Sequence, residues 1–332
     1  MDSKRPHQYR ALKQLLTIVC IMAMTSCTWV KDDVDDCPYG FWLRLHYTYN
    51  ILDVEAVQKY VKDADAYIYD ADGNYVKRIH ATQSELTAND YRVRVEGLPE
   101  GDYQFVVWSG MGNNQYAVAG DTQAMDDFRL SLAGAGTHYA GVLPDLYYGY
   151  QTTVHYKDAY AVYDVEQMKN TNQLSYLVVS VSDQNELDAD EYSMKVVAAN
   201  ATMDAFNRLV PGPVTTYEPC EQGPVTIDDP NYGEMHGLRF NMMTLRLMSD
   251  SDCRLILENK RTNQALFDIS FPEYVGMIGT LYTSIGRPLT VQEYLDRQDF
   301  YTIVFFLSDN LDQLIQLQVN SWRLRANYHL KL

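Results

Sequence analysis

From 39 to 49 the sequence alternates without a break. Phe41, Leu43, Leu45, Tyr47 and Tyr49 fall on one side, and Trp42, Arg44, His46 and Thr48 on the other. A period of two puts successive side chains on opposite faces of a strand, so this segment reads as a strand with one buried face. Similar short runs recur at 91–95, 103–108, 128–132, 160–165, 173–182, 192–199, 238–248, 253–258, 264–270, 314–319 and 322–330. Many short strands with turn residues between them predict an all-β chain built from β-sandwiches. Residues 301–307 (YTIVFFL) are the most apolar run. They predict a central strand, because an unbroken apolar run needs both faces covered.

The turns sharpen this picture. Strands at 66–69 and 75–79 flank Asp70-Ala71-Asp72-Gly73-Asn74, whose Asp-Gly step signals a hairpin. Short helices are expected in the connections, one over Val54, Val57 and Val61 with Asp53 as N-cap, another at 290–297. The run at 128–132 closes a first set of strands, and the pattern restarts with 160–165. A break at 145–158 therefore divides the chain into sandwiches at 39–152 and 153–332. Residues 211–237, rich in proline, glycine and acids, read as a long loop.

The segment before the first strand gives an address. Lys4, Arg5, Arg10 and Lys13 precede an apolar stretch at 15–24, then Met24-Thr25-Ser26-Cys27. Ten apolar residues are too few to span a bilayer, so 1–26 read as a removable signal peptide. Small residues followed by cysteine make it a lipoprotein signal, with Cys27 as the lipid site. Two or more acyl chains anchor a protein stably, where one holds it only marginally. Residues 27–38 then form an acidic tether, in which Lys31, Asp32 and Asp33 lie just after the lipid cysteine.

Residues 1–26 hold four basic residues and one acidic one, so their removal takes the formal charge from −17 to −20. No basic stripe remains to attract nucleic acid or anionic lipid. If Cys27 is acylated, Cys37, Cys220 and Cys253 remain, enough for one disulfide whose partners the spacing leaves open.

No constellation carries chemistry. The Asp70–Asn74 turn lacks the glycine and glutamate that an EF-hand loop would need, since Tyr75 and Ala81 stand there. Gly134-Ala135-Gly136 lacks the last glycine and the strand–helix frame of a dinucleotide loop. His46, His80, His138, His155, His236 and His329 form no HExxH pair, and no GxSxG elbow exists. A dyad of Cys220 or Cys253 with His236 has no local support. The chain is expected not to be an enzyme and to need no cofactor or metal. Most of the 27 tyrosines read as strand packing. Tyr147-Tyr148-Gly149-Tyr150, at the expected junction, is the cluster that could do more.

Four segments together resemble the fimbrial anchor and accessory lipoproteins of Bacteroidales, of FimB/Mfa type. They are the tether ending Asp35-Asp36-Cys37-Pro38, the strand at 40–49, the hairpin at 67–78 followed by Leu98-Pro99-Glu100-Gly101-Asp102-Tyr103-Gln104-Phe105-Val106, and the carboxy-terminal Val319-Asn320-Ser321-Trp322-Arg323-Leu324-Arg325. The lysine and acids after Cys27 are similar to the surface-export signal of Bacteroidetes lipoproteins. The resemblance implies two transthyretin-like β-sandwich domains and attachment of a fimbrial shaft to the outer membrane, or its capping or decoration. It also implies fimbrial shaft or accessory subunits as partners, joined by β-strand complementation. A surface glycan-binding lipoprotein is the alternative. An open aromatic platform would favour the sugar, and an apolar groove the strand.

Overall fold

The computed structural model describes residues 40–112, 114–134, 136–157, 160–181, 187–279, 286–308, 314–320 and 322–325. The described residues all belong to one compact body, 40–332. The first part of the body holds β1 (Gly40–His46), α1 (Val57–Tyr60), β2 (Ala64–Asp70), β3 (Tyr75–Ala81), α2 (Gln83–Ala88), β4 (Arg92–Glu96) and β5 (Gly101–Ser109). Next come β6 (Tyr116–Ala119), β7 (Arg129–Leu132), β8 (His138–Tyr139), β9 (Tyr147–Tyr156) and β10 (Val162–Lys169). The second part holds β11 (Thr171–Ser180), β12 (Tyr192–Ala198), β13 (Thr202–Asp204), β14 (Thr215–Tyr217), β15 (Glu221–Asp229) and β16 (Gly233–Leu245). It ends with β17 (Arg254–Asn259), β18 (Gln264–Ser270), α3 (Phe271–Gly279), α4 (Val291–Arg297), β19 (Phe300–Leu307), β20 (Leu314–Val319) and β21 (Trp322–Arg325). The protein is all-β with short helices in its connections.

Alternation makes β1 a strand, but local polar chemistry ends it at His46. Asn50 donates its amide to the carbonyls of Tyr47 and Val54, and Asp53 takes a left-handed φ of 54°. That turn corrects the expected N-cap. Helix α1 begins after Ala56 with no side-chain cap, and the Glu55 carboxylate accepts from the Tyr47 and Val57 N–H groups instead. The β2–β3 hairpin forms as its turn residues require. The Asp70 carboxylate accepts from the Asp72 and Asn74 N–H groups, and Gly73 supplies φ 81°. Helix α2 has a full capping box from Thr82 and Glu85, a Thr-x-x-Glu signal that is plain in the sequence once looked for.

Seven strands form one sheet in the order β3-β2-β5-β9-β10-β1-β4. Phe41, Leu43, Ile68, Val93, Phe105 and Val165, from five of those strands, share one core cluster, so the sheet rolls around its own interior. Its two edges meet where the Lys77 ammonium donates to the Glu96 carbonyl at 2.6 Å, linking β3 to β4. The outer face of β2 and β5 turns Tyr67, Val106 and Trp108 into a second and larger core. There a six-stranded sheet (β15-β16-β11-β19-β20-β21) faces a five-stranded one (β18-β17-β12-β14-β8). The run at 301–307 lies in β19, inside the six-stranded sheet between β11 and β20, as its composition predicts. Phe305 is fully buried and stacks on Phe267 of β18 at 4.3 Å between ring centroids.

Three expectations need correction. The chain changes sheets at Asn170, not at 145–158: β9 runs through residue 152, and β10, the expected first strand of the second half, pairs with β9 and with β1. The run at 128–132 does not complete the first set. As β7 it pairs with β6 and with β13, and Phe128 packs against Tyr67 and Trp108, so the short three-stranded sheet bridges the two halves. The stretch at 211–237 is not a long loop but contains β14, β15 and the start of β16. Half-exposed alternation and Pro224 hid β15, yet proline is tolerated there because β15 lies at the edge of its sheet.

Two experiments test this packing. Phe305→Asp would place a carboxylate in the core, and the variant should show no cooperative melt by circular dichroism. The Tyr176 hydroxyl is buried without a hydrogen-bond partner, whereas Tyr217 donates to Asn200 Oδ1 at 2.7 Å. Tyr176→Phe should therefore melt no lower than the parent, while Tyr217→Phe should lose about 1–2 kcal/mol in denaturant titration.

Candidate functional site

The connection between the two sheet systems is one residue long. Lys169 ends β10 with its side chain only 4% exposed, and its ammonium lies 2.9 Å from Asp145 and 2.8 Å from Asp299. Burial alone would pull this lysine toward neutrality. The charges of Asp299 and Asp145 outweigh that, so its pKa lies above the ordinary value and the cation persists. Burial and the Asp145 charge raise the Tyr147 phenol, which stays protonated and donates to Asp145 at 3.2 Å. Asn170 and Asn207 exchange reciprocal amide hydrogen bonds at 2.7 and 3.0 Å, both residues fully or almost fully buried.

Helix α4 and its exit extend this polar belt. Arg297 ion-pairs with Asp53 at 3.1 Å, donates to the Asn50 carbonyl, and lies over the Tyr49 ring at 4.2 Å. Arg246 pairs with Asp296 at 3.0 Å and donates to the Asn207 carbonyl. The Tyr147–Tyr150 cluster belongs to the same junction. Tyr148 donates to the Ala205 carbonyl, Tyr150 packs on Phe206 at 5.6 Å, and a Cβ at Gly149 would come within 2.5 Å of Gln167 Nε2. These rings hold the halves together and do not form an open platform. Among the described residues the exposed aromatics Tyr160, Tyr232 and Phe300 lie apart, before β10, in the β15–β16 turn and at the start of β19.

Open backbone edges are found in the second part. Among the described residues, β15 and β21 terminate the six-stranded sheet and β18 the five-stranded one, while the seven-stranded sheet ends in β3 and β4, which Lys77 links by a single side-chain bond to the Glu96 carbonyl. The face of the six-stranded sheet turned away from the core is itself apolar over part of its length, with Leu177, Val179, Met235, Val304 and Phe306 forming a third cluster. Further along the same strands lies a groove of about 540 Å³, lined by Val142, Leu177, Met243 and Phe300 together with Gln173, Ser175, Asn241 and Thr302. The groove lies on the face of the interior strands β16, β11 and β19, so it offers side-chain contacts, whereas main-chain bonds to an extended chain fall to the edge strands.

The residues singled out from sequence distribute as follows. Cys27, Lys31, Asp32, Asp33, Cys37 and His329 lie outside the described residues. Cys220 is exposed and Cys253 buried, both with free thiols, and burial pushes the Cys253 thiol up to about 12. His46, His80, His138 and His155 each sit beside a carboxylate, while His236 contacts Thr226 and Glu234 and neither cysteine. Among the described residues no group of three or more His, Cys, Asp or Glu could hold a metal ion. The junction residues carried no local signal, because Lys169 meets Asp299 across 130 positions.

The family model for fimbrillin-A associated anchor proteins Mfa1 and Mfa2 matches residues 34–328. The chain belongs to this family. A structure from Bacteroides thetaiotaomicron described as a candidate adhesin is similar at 27% identity and TM-score 0.77, covering 89% of this chain and all of that one. Another from the same species, described as a candidate polysaccharide-binding protein, is similar at 25% identity and TM-score 0.73, over 87% of this chain and 98% of that one. The fimbrial anchor protein Mfa2 from Porphyromonas gingivalis shares the fold at 17% identity and TM-score 0.63, over 88% of this chain and all of its own. No curated protein matches the sequence. Family membership makes the chain fimbria-associated.

Lys169→Met keeps the length of the side chain and removes its charge, leaving Asp145 and Asp299 facing each other. The expected loss in urea denaturation is about 3 kcal/mol, the low end for a broken buried pair because both aspartates keep contact with solvent. A midpoint equal to the parent's would show that the lysine does not hold the junction.

Proposed function

We propose that this protein is an outer-membrane lipoprotein that anchors, caps or decorates a fimbria. Lipid on Cys27 holds it, and Lys31, Asp32 and Asp33 direct it to the outer surface. It binds a fimbrial subunit by β-strand complementation. The observation that carries the reading is the set of edge strands in the second part. Strands β15, β21 and β18 terminate its sheets among the described residues, and the groove beside Phe300 belongs to the same part. Backbone pairing supplies affinity without need of charge, which suits a chain with a formal charge of −17.

Two strains test the proposal. Deleting the gene should free fimbriae from cells or alter their length. Cys27→Ala should leave the protein unlabelled by a fatty-acid analogue and carry fimbriae into the medium. Unchanged fimbriation in the deletion strain would remove the anchoring role. The glycan reading draws on the 25%-identical relative described as a candidate polysaccharide-binding protein, and on the half-polar groove with exposed Phe300. Saturable binding to a purified surface glycan, lost in Phe300→Ala, would move the assignment there.

A further inference from the structure

Strand β1 is the first element after the tether, and β10 is the strand that leaves for the second part. The two are neighbours in the sheet and run parallel, with Trp42 opposite Val162 and His46 opposite Glu166. In a parallel pair, the start of one strand and the end of the other lie at opposite ends of the ladder. A pull at the start of β1 against a pull at the end of β10 therefore slides the two strands along each other. Every backbone pair of the ladder then resists at once, where a pull from one end would open the pairs singly.

The surroundings favour this sharing. Arg44 on β1 pairs with Asp164 on β10 at 2.6 Å. Beyond the ladder's end, Glu166 accepts from the Thr48 N–H at 2.6 Å, the Thr48 hydroxyl at 2.9 Å and the Tyr49 N–H at 2.9 Å. The far side of β1 is held by antiparallel pairing with β4. Past β10, load passes into β11 through Asn170 alone. The Lys169 ion pairs and the Asn170–Asn207 amide pair fix that residue, and β11 then lies between β16 and β19 in the interior of its sheet.

We propose that the parallel β1–β10 ladder is a tension-bearing clamp, placed so that pull between the tether and a partner on the second part loads it in shear. The idea rests on the anchor reading for where the load arises, but the mechanical response is a property of the fold alone.

Optical tweezers on the purified full-length chain read it directly. One handle is attached through Asp250→azidophenylalanine, on the exposed turn after β16. The other is attached through Pro38→azidophenylalanine, before β1, or in a second preparation through Leu52→azidophenylalanine, past its far end. The first axis shears the ladder, and the second pulls β1 from the end nearest Lys169, so that pairs open from His46 and Glu166 onward. The ratio of first-unfolding forces, Pro38 axis over Leu52 axis, should exceed unity. A ratio at or below unity overturns the clamp. Arg44→Ala removes the ion pair to Asp164 inside the ladder, keeps every backbone pair, and should lower the force by a larger share on the Pro38 axis. An equal drop on both axes would assign the pair to general stability and overturn the directional claim. Fimbrial release by Cys27→Ala is scored in cells, so the anchor reading and the clamp can each fail without the other.

Discussion

A buried cation fixes how the two sheet systems meet. Lys169 is almost wholly removed from water, and it is tolerable there only because two aspartates approach within 3 Å. Those aspartates come from different places: Asp145 precedes β9, and Asp299 precedes β19. The ion triad therefore ties the exit of the rolled sheet to the entry of the central strand of the sandwich. Such a group contributes little net stability over an apolar isostere, but it penalises every arrangement that leaves the lysine unpaired. Around it, the Asn170–Asn207 exchange, Arg297 on Asp53 and Arg246 on Asp296 impose the same condition. The continuous apolar core across Tyr67, Phe128 and Trp108 makes the halves adhere, and the polar belt sets the angle at which they do so.

Period-two patterning made most strands legible. The runs at 103–108, 192–199, 264–270 and 301–307 became β5, β12, β18 and β19 within two residues of the expected ends. The hairpin at Asp70–Asn74 and the Thr290-capped helix were legible for the same reason, since each rests on chemistry within a few residues. The failures share the opposite cause. Strand β7 reads as the close of the first set, yet it pairs with β13 some 70 positions later, and only the packing of Phe128 decides that. The boundary misses Asn170 because the partner of β10 is β1, about 120 residues upstream. The junction ions were invisible on the same ground. Edge strand β15 fell to a different difficulty, because a strand with one pairing side and a proline looks like a loop in any single sequence.

The edge strands of the two parts are managed differently. Lys77 of β3 reaches the Glu96 carbonyl of β4, so one side-chain bond spans the two edges of the rolled sheet. In the second part, β15 ends in acids and carries Pro224, devices that discourage indiscriminate pairing while leaving an edge available. A protein exposed on a crowded surface gains from that balance, since an unguarded edge invites aggregation. The fimbria-associated family and the shared fold fit this division, and the groove by Phe300 adds side-chain character to what the edge provides in backbone.

Pairing β1 with β10 also has a kinetic side. A chain emerging amino-terminus first makes β1 long before the residues that complete its surroundings. Its antiparallel partner β4 follows about fifty residues later, but the parallel partner β10 comes only after 162. Until then Phe41, Leu43 and Leu45 have no closed interior to enter. Contacts of such sequence separation raise contact order and slow folding, and they prolong the life of a strand with an unfilled side. The element nearest the amino terminus is thus among the last to be secured. For its early life it depends on whatever keeps nascent, half-paired strands apart.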